Sequence, residues 1–129
     1  MENAETRIEY QVDNTLELGF TTLYGEFDSA SLKSELMRIW NSDQFKQNYS
    51  VLIDICKASF SGDSKDFPDF LKIFLTMPGN NINRKFAVLT ETPQQVAYST
   101  MFAQFVKARF PLTVEIFSTR EGAMTWLGV

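Results

Sequence analysis

Apolar and polar residues alternate with a period of two through the first part of the chain. One alternating segment covers residues 7–12, and a second covers residues 16–24. Period-two alternation is typical of β-strands with one buried face. Asp13 and Asn14 lie between the two segments, and both residue types tolerate the left-handed backbone of a tight turn. The pattern therefore predicts an N-terminal β-hairpin.

The next segment has the three-to-four-residue period of an α-helix. Its apolar stripe consists of Leu32, Leu36, Ile39 and Trp40. Asp28 or Ser29 is expected to cap the first turn by accepting a backbone N–H bond. Glu35 and Arg38 fall on the side that we expect to face water. Polar residues end this helix, and Phe45 is expected to fold back onto the core as an anchor.

Two short and nearly continuous apolar runs indicate strands that are covered on both faces. The first covers residues 50–56 (SVLIDIC), and the second covers residues 85–90 (KFAVLT). Strands of this kind occupy the centre of parallel sheets. Residues 57–63 are expected to form a loop after the first run. A last strand over residues 112–117 alternates, as the first two strands do.

Breaker and capping residues mark a second and a third helix. The second helix is predicted to begin between Ser64 and Phe67 and to run to Met77, with its proline in the first turn, where a missing N–H costs least. It ends at the Pro-Gly-Asn-Asn cluster that follows. The third helix is predicted to start after Thr92 as its cap and to extend to about Arg109.

A short fourth helix is predicted at the end of the chain. Ser118 and Glu121 have the spacing of a capping box, in which Ser118 is the N-cap. Ala123 and Leu127 are expected to face the core, and Gly128 closes the helix.

The elements follow one another in the order β-β-α-β-α-β-α-β-α. Alternating strands and helices predict an α/β fold with a mostly parallel five-stranded sheet, in which the N-terminal β-hairpin supplies the antiparallel edge. We expect one thoroughly covered sheet face and a second face that is covered only near its centre. No linker or repeat divides the 129 residues, so we expect a single domain over residues 1–129, with residues 1–6 as a flexible tail.

Composition excludes several kinds of catalysis. The chain has no histidine and a single cysteine, Cys56, which excludes Ser-His-Asp and Cys-His systems and a structural zinc site. Cys56 ends a buried strand, where we expect a small hydrophobe without a base to activate it. We see neither a signal peptide nor an apolar run of about 20 residues, and we therefore expect a cytoplasmic protein without stable membrane insertion.

The net charge of −4 argues against nucleic acid as a partner. The charge is unevenly distributed, since residues 1–69 carry 6 Lys and Arg against 13 Asp and Glu, whereas residues 70–129 carry 6 against 3. This distribution arises either from chance scatter over solvated faces or from a bipolar surface that suits an oppositely charged partner.

Several stretches together resemble the SpoIIAA-like group of STAS-fold proteins (sulfate-transporter and anti-sigma-factor-antagonist domains). These stretches are TLELGFTTLYGEFDSASL, NSDQF, SVLIDI, RKFAVLT and VEIFSTREGAMTWL, and the likeness extends over residues 8–127. The resemblance implies a SpoIIAA-like (STAS) architecture and a bacterial regulatory protein that acts through protein–protein contacts. This chain is similar to the divergent members of the group, whose function is obscure.

In the anti-sigma antagonists of this group, a serine after the central strand is the target of a partner kinase, within the phrase Asp-Ser-Ser-Gly. The nearest match here is Asp63-Ser64, which Lys65 and Asp66 follow in place of the second serine and the glycine. The resemblance therefore implies Ser64, or its neighbour Ser61, as a regulatory phosphorylation site. The alternative is that Ser64 only caps the second helix.

Acidic residues gather near the same end of the central strand. They are Asp54, Asp63, Asp66 and Asp69. A hard cation could be bound there, but solvated acids at a helix start are the simpler interpretation. A receiver-type site would also need a lysine after the last strand, where this chain has Ser118. We therefore expect neither a metal nor a cofactor.

The second and third helices carry more apolar residues than one buried face requires. The residues concerned are Phe67, Phe70, Ile73, Phe74, Met77, Tyr98, Met101, Phe102 and Phe105. They form either a generous core, or a surface for a protein partner or homodimer, or a pocket for a small apolar, lipid-like ligand. We predict a non-enzymatic protein-interaction domain, with ligand binding as the alternative and carboxylate-only catalysis as the least favoured hypothesis.

Overall fold

The computed structural model describes residues 6–61 and 66–129, and the predicted order of elements is confirmed. The strands are β1 (Arg7–Asp13), β2 (Leu18–Phe27), β3 (Ser50–Phe60), β4 (Arg84–Leu89) and β5 (Leu112–Phe117). The helices are α1 (Ser29–Trp40), α2 (Phe67–Ile73), α3 (Pro93–Arg109) and α4 (Arg120–Leu127), and a 3₁₀ turn (Phe74–Thr76) continues α2. None of these helices is both long and apolar enough to cross a membrane.

The five strands form one sheet in the order β1-β2-β3-β4-β5. The β1–β2 pair is antiparallel and every other pair is parallel, as the sequence predicts. The main core lies between one face of this sheet and the helices α1, α2 and α3. A smaller core on the other face contains Leu52, Ala87 and Ala123, and α4 covers it. The two faces are therefore covered unequally, as expected.

The β-hairpin is confirmed, but its second strand begins later than predicted. Leu16 lies in the turn and is 41% exposed, and its backbone N–H donates to Asp13 Oδ1 at 3.0 Å. In the register of the pair, Tyr10 of β1 stands opposite Thr21, and Ile8 stands opposite Leu23. The face of β2 that meets the main core thus contains the odd-numbered residues.

Helix α1 has the predicted cap and stripe. Asp28 Oδ1 accepts the N–H of Ser31 at 2.7 Å, and the Ser31 hydroxyl accepts the N–H of Asp28 at 3.0 Å. Arg38 is exposed, as expected, and Glu35 is half-buried, and both side chains also bind the edge strand β1. Glu35 Oε1 accepts the N–H of Ile8 at 2.8 Å, and Arg38 Nη2 donates to the carbonyl of Ile8 at 2.7 Å. This pair satisfies backbone groups that the sheet edge leaves free.

The expected loop over residues 57–63 is wrong for its first four residues. Strand β3 continues to Phe60 because β2 continues beside it, with Lys57 opposite Tyr24 and Phe60 opposite Phe27. The polar residues of this extension alternate with buried Ala58 and half-buried Phe60, so they lie on one face of a strand.

Two further boundaries are corrected. The cap of α4 is Thr119 and not Ser118, since Thr119 Oγ1 accepts the N–H of Gly122 at 3.1 Å. Strand β4 starts at Arg84, one residue before the predicted run. Of the expected N-terminal tail, residues 1–5 lie outside the described part, and the Thr6 hydroxyl donates to the carbonyl of Glu26 at 3.0 Å.

Gly79 in the turn before β4 is closely packed. Its φ is +76°, and a Cβ at this position would lie 2.5 Å from the carbonyl oxygen of Gln47. Gly128 has a similar φ of +87°, but nothing lies within 4 Å of a Cβ there. A side chain would meet backbone strain at both glycines but crowding only at Gly79, so the two positions allow the two effects to be measured separately.

We expect Gly79→Ala to lower the free energy of unfolding by roughly 2–5 kcal/mol, because left-handed backbone strain and crowding add. Gly128→Ala should lower it by only about 1–2 kcal/mol, which is the strain alone. Urea denaturation of both variants and wild type measures the difference. Equal losses in the two variants would show that the contact with Gln47 is unimportant.

Candidate functional site

An apolar cavity of about 130 Å³ lies in the main core, between the sheet and the three helices that cover this face. Side chains from β2, β3 and β4 form its floor, and side chains from α1, α2 and α3 form its roof. Representative lining residues are Leu36, Ile53, Phe70, Phe74, Val88 and Phe102. The cavity is therefore a feature of the packing between layers and not of a surface loop.

Aromatic rings connect α2 to α3 and to β3 beside this cavity. The rings of Phe67 and Tyr98 stack with centroids 5.1 Å apart, and those of Phe74 and Phe102 lie 4.7 Å apart. Phe60 of β3 meets Tyr98 edge-to-face at 5.6 Å. Such pairs stabilise the packing by about 0.5–1.5 kcal/mol each beyond the area that they bury. The rings fix α2, the shortest of the helices, against its neighbours.

The predicted apolar set divides between core and surface. Phe70, Ile73 and Met77 are buried, which fits the core interpretation for these three. The half-buried members are Phe67, Phe74, Tyr98, Phe102 and Phe105. Met101 is 39% exposed, and the structure adds Leu75, which is 49% exposed. Whether this set binds anything stays a prediction.

Five accessible or half-buried side chains of this region lie on the 3₁₀ turn after α2 and on α3. We name this group the α2–α3 patch, and it consists of Phe74, Leu75, Met101, Phe102 and Phe105. The Phe74–Phe102 ring contact joins its two halves. A basic side chain lies against it, since the guanidinium of Arg109 is 4.0 Å from the centroid of the Phe105 ring.

A buried arginine lies in the cavity wall, and the sequence reasoning missed it. Arg84 is 5% exposed, and its Nη1 donates to the carbonyl of Tyr49 at 3.0 Å. Its Nη2 faces the carbonyls of Pro78 and Gly79, each at 3.4 Å. Within the described ranges, its Nε is the one buried side-chain nitrogen or oxygen without a hydrogen-bond partner. Burial lowers the pKa of Arg84 to about 10, so it remains cationic at neutral pH.

Tyr10 also lines the cavity, and its environment includes Arg84. Its ring packs against Phe45, with centroids 5.7 Å apart, which confirms Phe45 as an anchor. Its hydroxyl accepts the backbone N–H of Lys46 at 3.2 Å. Burial raises the pKa of Tyr10, while the Lys46 hydrogen bond and the positive charge of Arg84 act in the opposite direction.

Arg84 was missed because the predicted strand began one residue after it. Arg84, Phe86 and Val88 occupy alternate positions of β4, and all three line the cavity. If the predicted strand had started at Arg84, the period-two alternation would have placed Arg84 on the same buried face as Phe86 and Val88.

The described members of the predicted regulatory and acidic sets lie in three places: Asp54 lies within β3, Ser61 directly follows it, and Asp66 and Asp69 lie at the start of α2. Asp63 and Ser64 are outside the described residues, so the switch serine stays a prediction. Ser61 donates to the carbonyl of Phe27 through both its backbone N–H, at 2.8 Å, and its hydroxyl, at 3.2 Å. Asp66 and Asp69 are exposed at the start of α2. Residues 6–61 and 66–129 contain no group of three or more His, Cys, Asp or Glu that could bind a metal.

Cys56 is a poorly ionised thiol. Burial, followed by the hydrogen bond and negative charge of Asp54, raises its pKa to about 11. Its Sγ–H donates to the carbonyl of Leu89 at 3.7 Å. Its own carbonyl, like that of Ala58, accepts from Nε2 of the buried Gln95, at 3.3 Å and 3.0 Å respectively. These bonds tie β3 to its neighbours, and the thiol is not activated as a nucleophile.

Solved structures of two other proteins share this fold. An uncharacterised protein of the DUF3478 family with a SpoIIAA-like fold, from Shewanella loihica PV-4, aligns over 98% of either chain, with a TM-score of 0.64 and 16% identity. An anti-sigma factor antagonist from Mycobacterium paratuberculosis aligns over 98% of this chain and 95% of its own, with a TM-score of 0.53 and 16% identity.

No family model and no curated protein matches this chain. The structural likeness at this identity establishes the fold, which is the SpoIIAA-like (STAS) fold predicted from the sequence.

We expect Cys56 to react slowly with iodoacetamide at neutral pH, because only the thiolate attacks. Its rate should keep rising about tenfold per pH unit beyond about pH 9, where an ordinary thiol with a pKa near 8.5 levels off. Asp54→Asn should lower the thiol pKa, since it removes a negative charge, and should raise the rate at neutral pH. A pH–rate profile of wild type that levels off near pH 8.5 would contradict the assignment.

Proposed function

We propose that this chain is a non-enzymatic regulatory domain that binds another protein through the α2–α3 patch. The observation that carries the proposal is the exposure of Leu75 and Met101, at 49% and 39%, on elements that already cover a complete core. The shared fold with an anti-sigma factor antagonist supports a regulatory role of this kind. We retain the cytoplasmic location expected from the sequence.

The composition of the patch suits a protein interface. Aromatic residues, methionine and arginine are enriched where proteins meet, and truncation of a few central aromatic or arginine side chains removes most of the binding energy. The patch offers three phenylalanines, Met101 and the neighbouring Arg109. Burial of apolar surface contributes roughly 25 cal/mol per Å², so covering these side chains favours association.

The charge around the patch favours an acidic partner over a second copy of this chain. Lys72, Lys107 and Arg109 are exposed on α2 and α3, whereas the exposed acids of α2, Asp66 and Asp69, lie at its N-terminal end and Phe74 and Leu75 follow its C-terminal end. In a twofold homodimer through this patch, the same basic residues would face one another across the axis. Because like charges at an interface repel, a different protein with acidic groups around an apolar centre fits better.

The chemistry of the described side chains supports binding over catalysis. The chain has no histidine, and its one thiol has a raised pKa. General acid–base catalysis needs a group whose pKa lies near the working pH, at the reacting centre. Neither Cys56 nor Arg84 meets that requirement, since both keep one protonation state at neutral pH.

We expect Leu75→Glu and Met101→Glu to weaken partner binding at least tenfold, which corresponds to about 1.4 kcal/mol, because each adds a charge to an apolar contact that must be desolvated. The immobilised protein captures the partner from lysate of the source organism. Calorimetry with the purified partner then gives the dissociation constants.

Leu16→Glu is the matched control, since Leu16 is also an exposed leucine but lies in the hairpin turn. It should bind the partner like wild type. Equal affinities for all variants would exclude the patch as the binding surface. Sedimentation of wild type as a dimer and of Met101→Glu as a monomer would give a different answer. That result would identify a second copy of this chain, and not an acidic protein, as the partner of the patch.

Phosphorylation of Ser64 or Ser61 stays a prediction within this proposal. Ser64→Asp adds a charge next to the start of α2 and is expected to change partner affinity by a measurable factor. Ser61→Asp should also destabilise the protein slightly, because it removes the hydroxyl bond to Phe27. Wild-type affinity in both variants and in a kinase-treated sample would show that neither serine acts as a switch.

A further inference from the structure

Arg84 is a buried cation without an acidic partner among the described residues. Within residues 6–61 and 66–129, the ion pairs join Arg7 to Glu9 and Arg38 to Glu35, and neither includes Arg84. The guanidinium is held by backbone carbonyls, and its Cζ lies 4.9 Å from the centroid of the Phe86 ring. A charge at this depth is unfavourable unless it is paired.

The atom that remains unsatisfied is Arg84 Nε, and Arg84 is one of the residues that line the cavity. Both Nη atoms already have carbonyl acceptors, and Nε–H has none. Leaving a buried donor unsatisfied is unfavourable, and more so when the group is charged. An anion with an apolar part would suit this site, because its charged group could accept the unpaired N–H of Arg84 while its apolar part occupied the cavity.

Tyr10 supplies a second polar group to the same cavity. Its hydroxyl oxygen already accepts the N–H of Lys46, so its remaining capacity is to donate its own proton. The other lining residues are almost all apolar, with Thr21 and Ser99 as further hydroxyl groups. The cavity therefore combines one cation and a few donors with apolar walls.

The volume limits the apolar part of a ligand. An engineered cavity of about 150 Å³ with apolar walls binds benzene, whereas pockets for drug-sized ligands have roughly 300–1,000 Å³. At about 130 Å³, this cavity fits a single ring or a short chain. A whole lipid is too large for this volume, so the small apolar, lipid-like ligand considered as the alternative is limited to a molecule of that size.

We propose that this cavity binds a small apolar carboxylic acid, with its carboxylate on Arg84 Nε and the Tyr10 hydroxyl and its ring or short chain among the aromatic side chains of α2 and α3. A carboxylate fits better than a phosphate group because it has one charge and two oxygens, which match one cation and two free donors. This inference does not rest on the partner proposed for the α2–α3 patch, although Phe74 and Phe102 belong to both sites.

The experiment is a calorimetric titration of the full chain with two acids and their neutral counterparts. The probes are benzoate with benzyl alcohol, and hexanoate with 1-hexanol. We expect wild type to bind at least one acid at least tenfold more tightly than its alcohol. The Nε–H resonance of Arg84 in a nitrogen–proton NMR spectrum should shift when that acid binds. The better of the two acids distinguishes a ring from a chain as the apolar part.

Two variants locate the site. Arg84→Gln retains a side-chain amide for the backbone carbonyls but removes the charge, and it should abolish the preference for the acid over the alcohol. Ser99→Leu leaves Arg84 intact and fills the apolar space from α3, and it should abolish binding of both molecules. Circular dichroism and thermal unfolding confirm that each variant is folded, and Ser99→Leu provides the test if Arg84→Gln does not fold.

Three results would overturn the proposal. The first is no binding of either acid to wild type, and the second is equal affinity for acid and alcohol. The third is unchanged acid binding by Ser99→Leu together with an unshifted Arg84 resonance, which would place the ligand elsewhere.

Discussion

The burial of one sheet face beneath three helices is the interaction on which the rest of this structure depends. The parallel strands β2 to β5 place apolar residues on this face, and α1, α2 and α3 must cover it. Helix α2 has only 7 residues before the 3₁₀ turn, and two ring pairs, Phe67–Tyr98 and Phe74–Phe102, join this segment to α3. The four rings of these pairs also line the cavity, so the same contacts that position α2 form part of the cavity wall.

The same constraint explains why the opposite face of the sheet is less covered. One short helix, α4, covers it near β3, β4 and β5. At the hairpin end, cationic side chains take the place of a helix. The guanidinium of Arg7 lies 4.1 Å from the centroid of the Tyr24 ring, and Lys57 Nζ lies 5.7 Å from it. Their aliphatic stems cover apolar surface while the charges stay in water.

The order of elements and the N-caps of α1 and α3 could be predicted, because they depend on local signals. The apolar stripe of α1 and the cap of α3 at Thr92 need only neighbouring residues in the sequence. The length of β3 could not be predicted in this way. Its last residues are a strand because β2 runs beside them, and that pairing is a long-range property.

The candidate site was harder to predict for the same reason. The sequence shows an apolar surplus on α2 and α3 but not which members face the sheet, so Phe70 and Phe74 could not be separated. The structure buries the first and leaves the second partly exposed. Arg84 could be identified only when its neighbours in space were known. Its carbonyl partners at Tyr49 and Pro78 come from two different turns.

The cavity and the α2–α3 patch share side chains, which has a thermodynamic consequence. Phe74 and Phe102 line the cavity from above, and the same two rings form the centre of the patch. A ligand that moves these rings would change the surface that a partner meets. If the two sites bind as proposed and one affects the affinity of the other, the effect must be reciprocal and of equal size. Since both sites depend on rings that are half-buried between layers, neither can be altered there without altering the other.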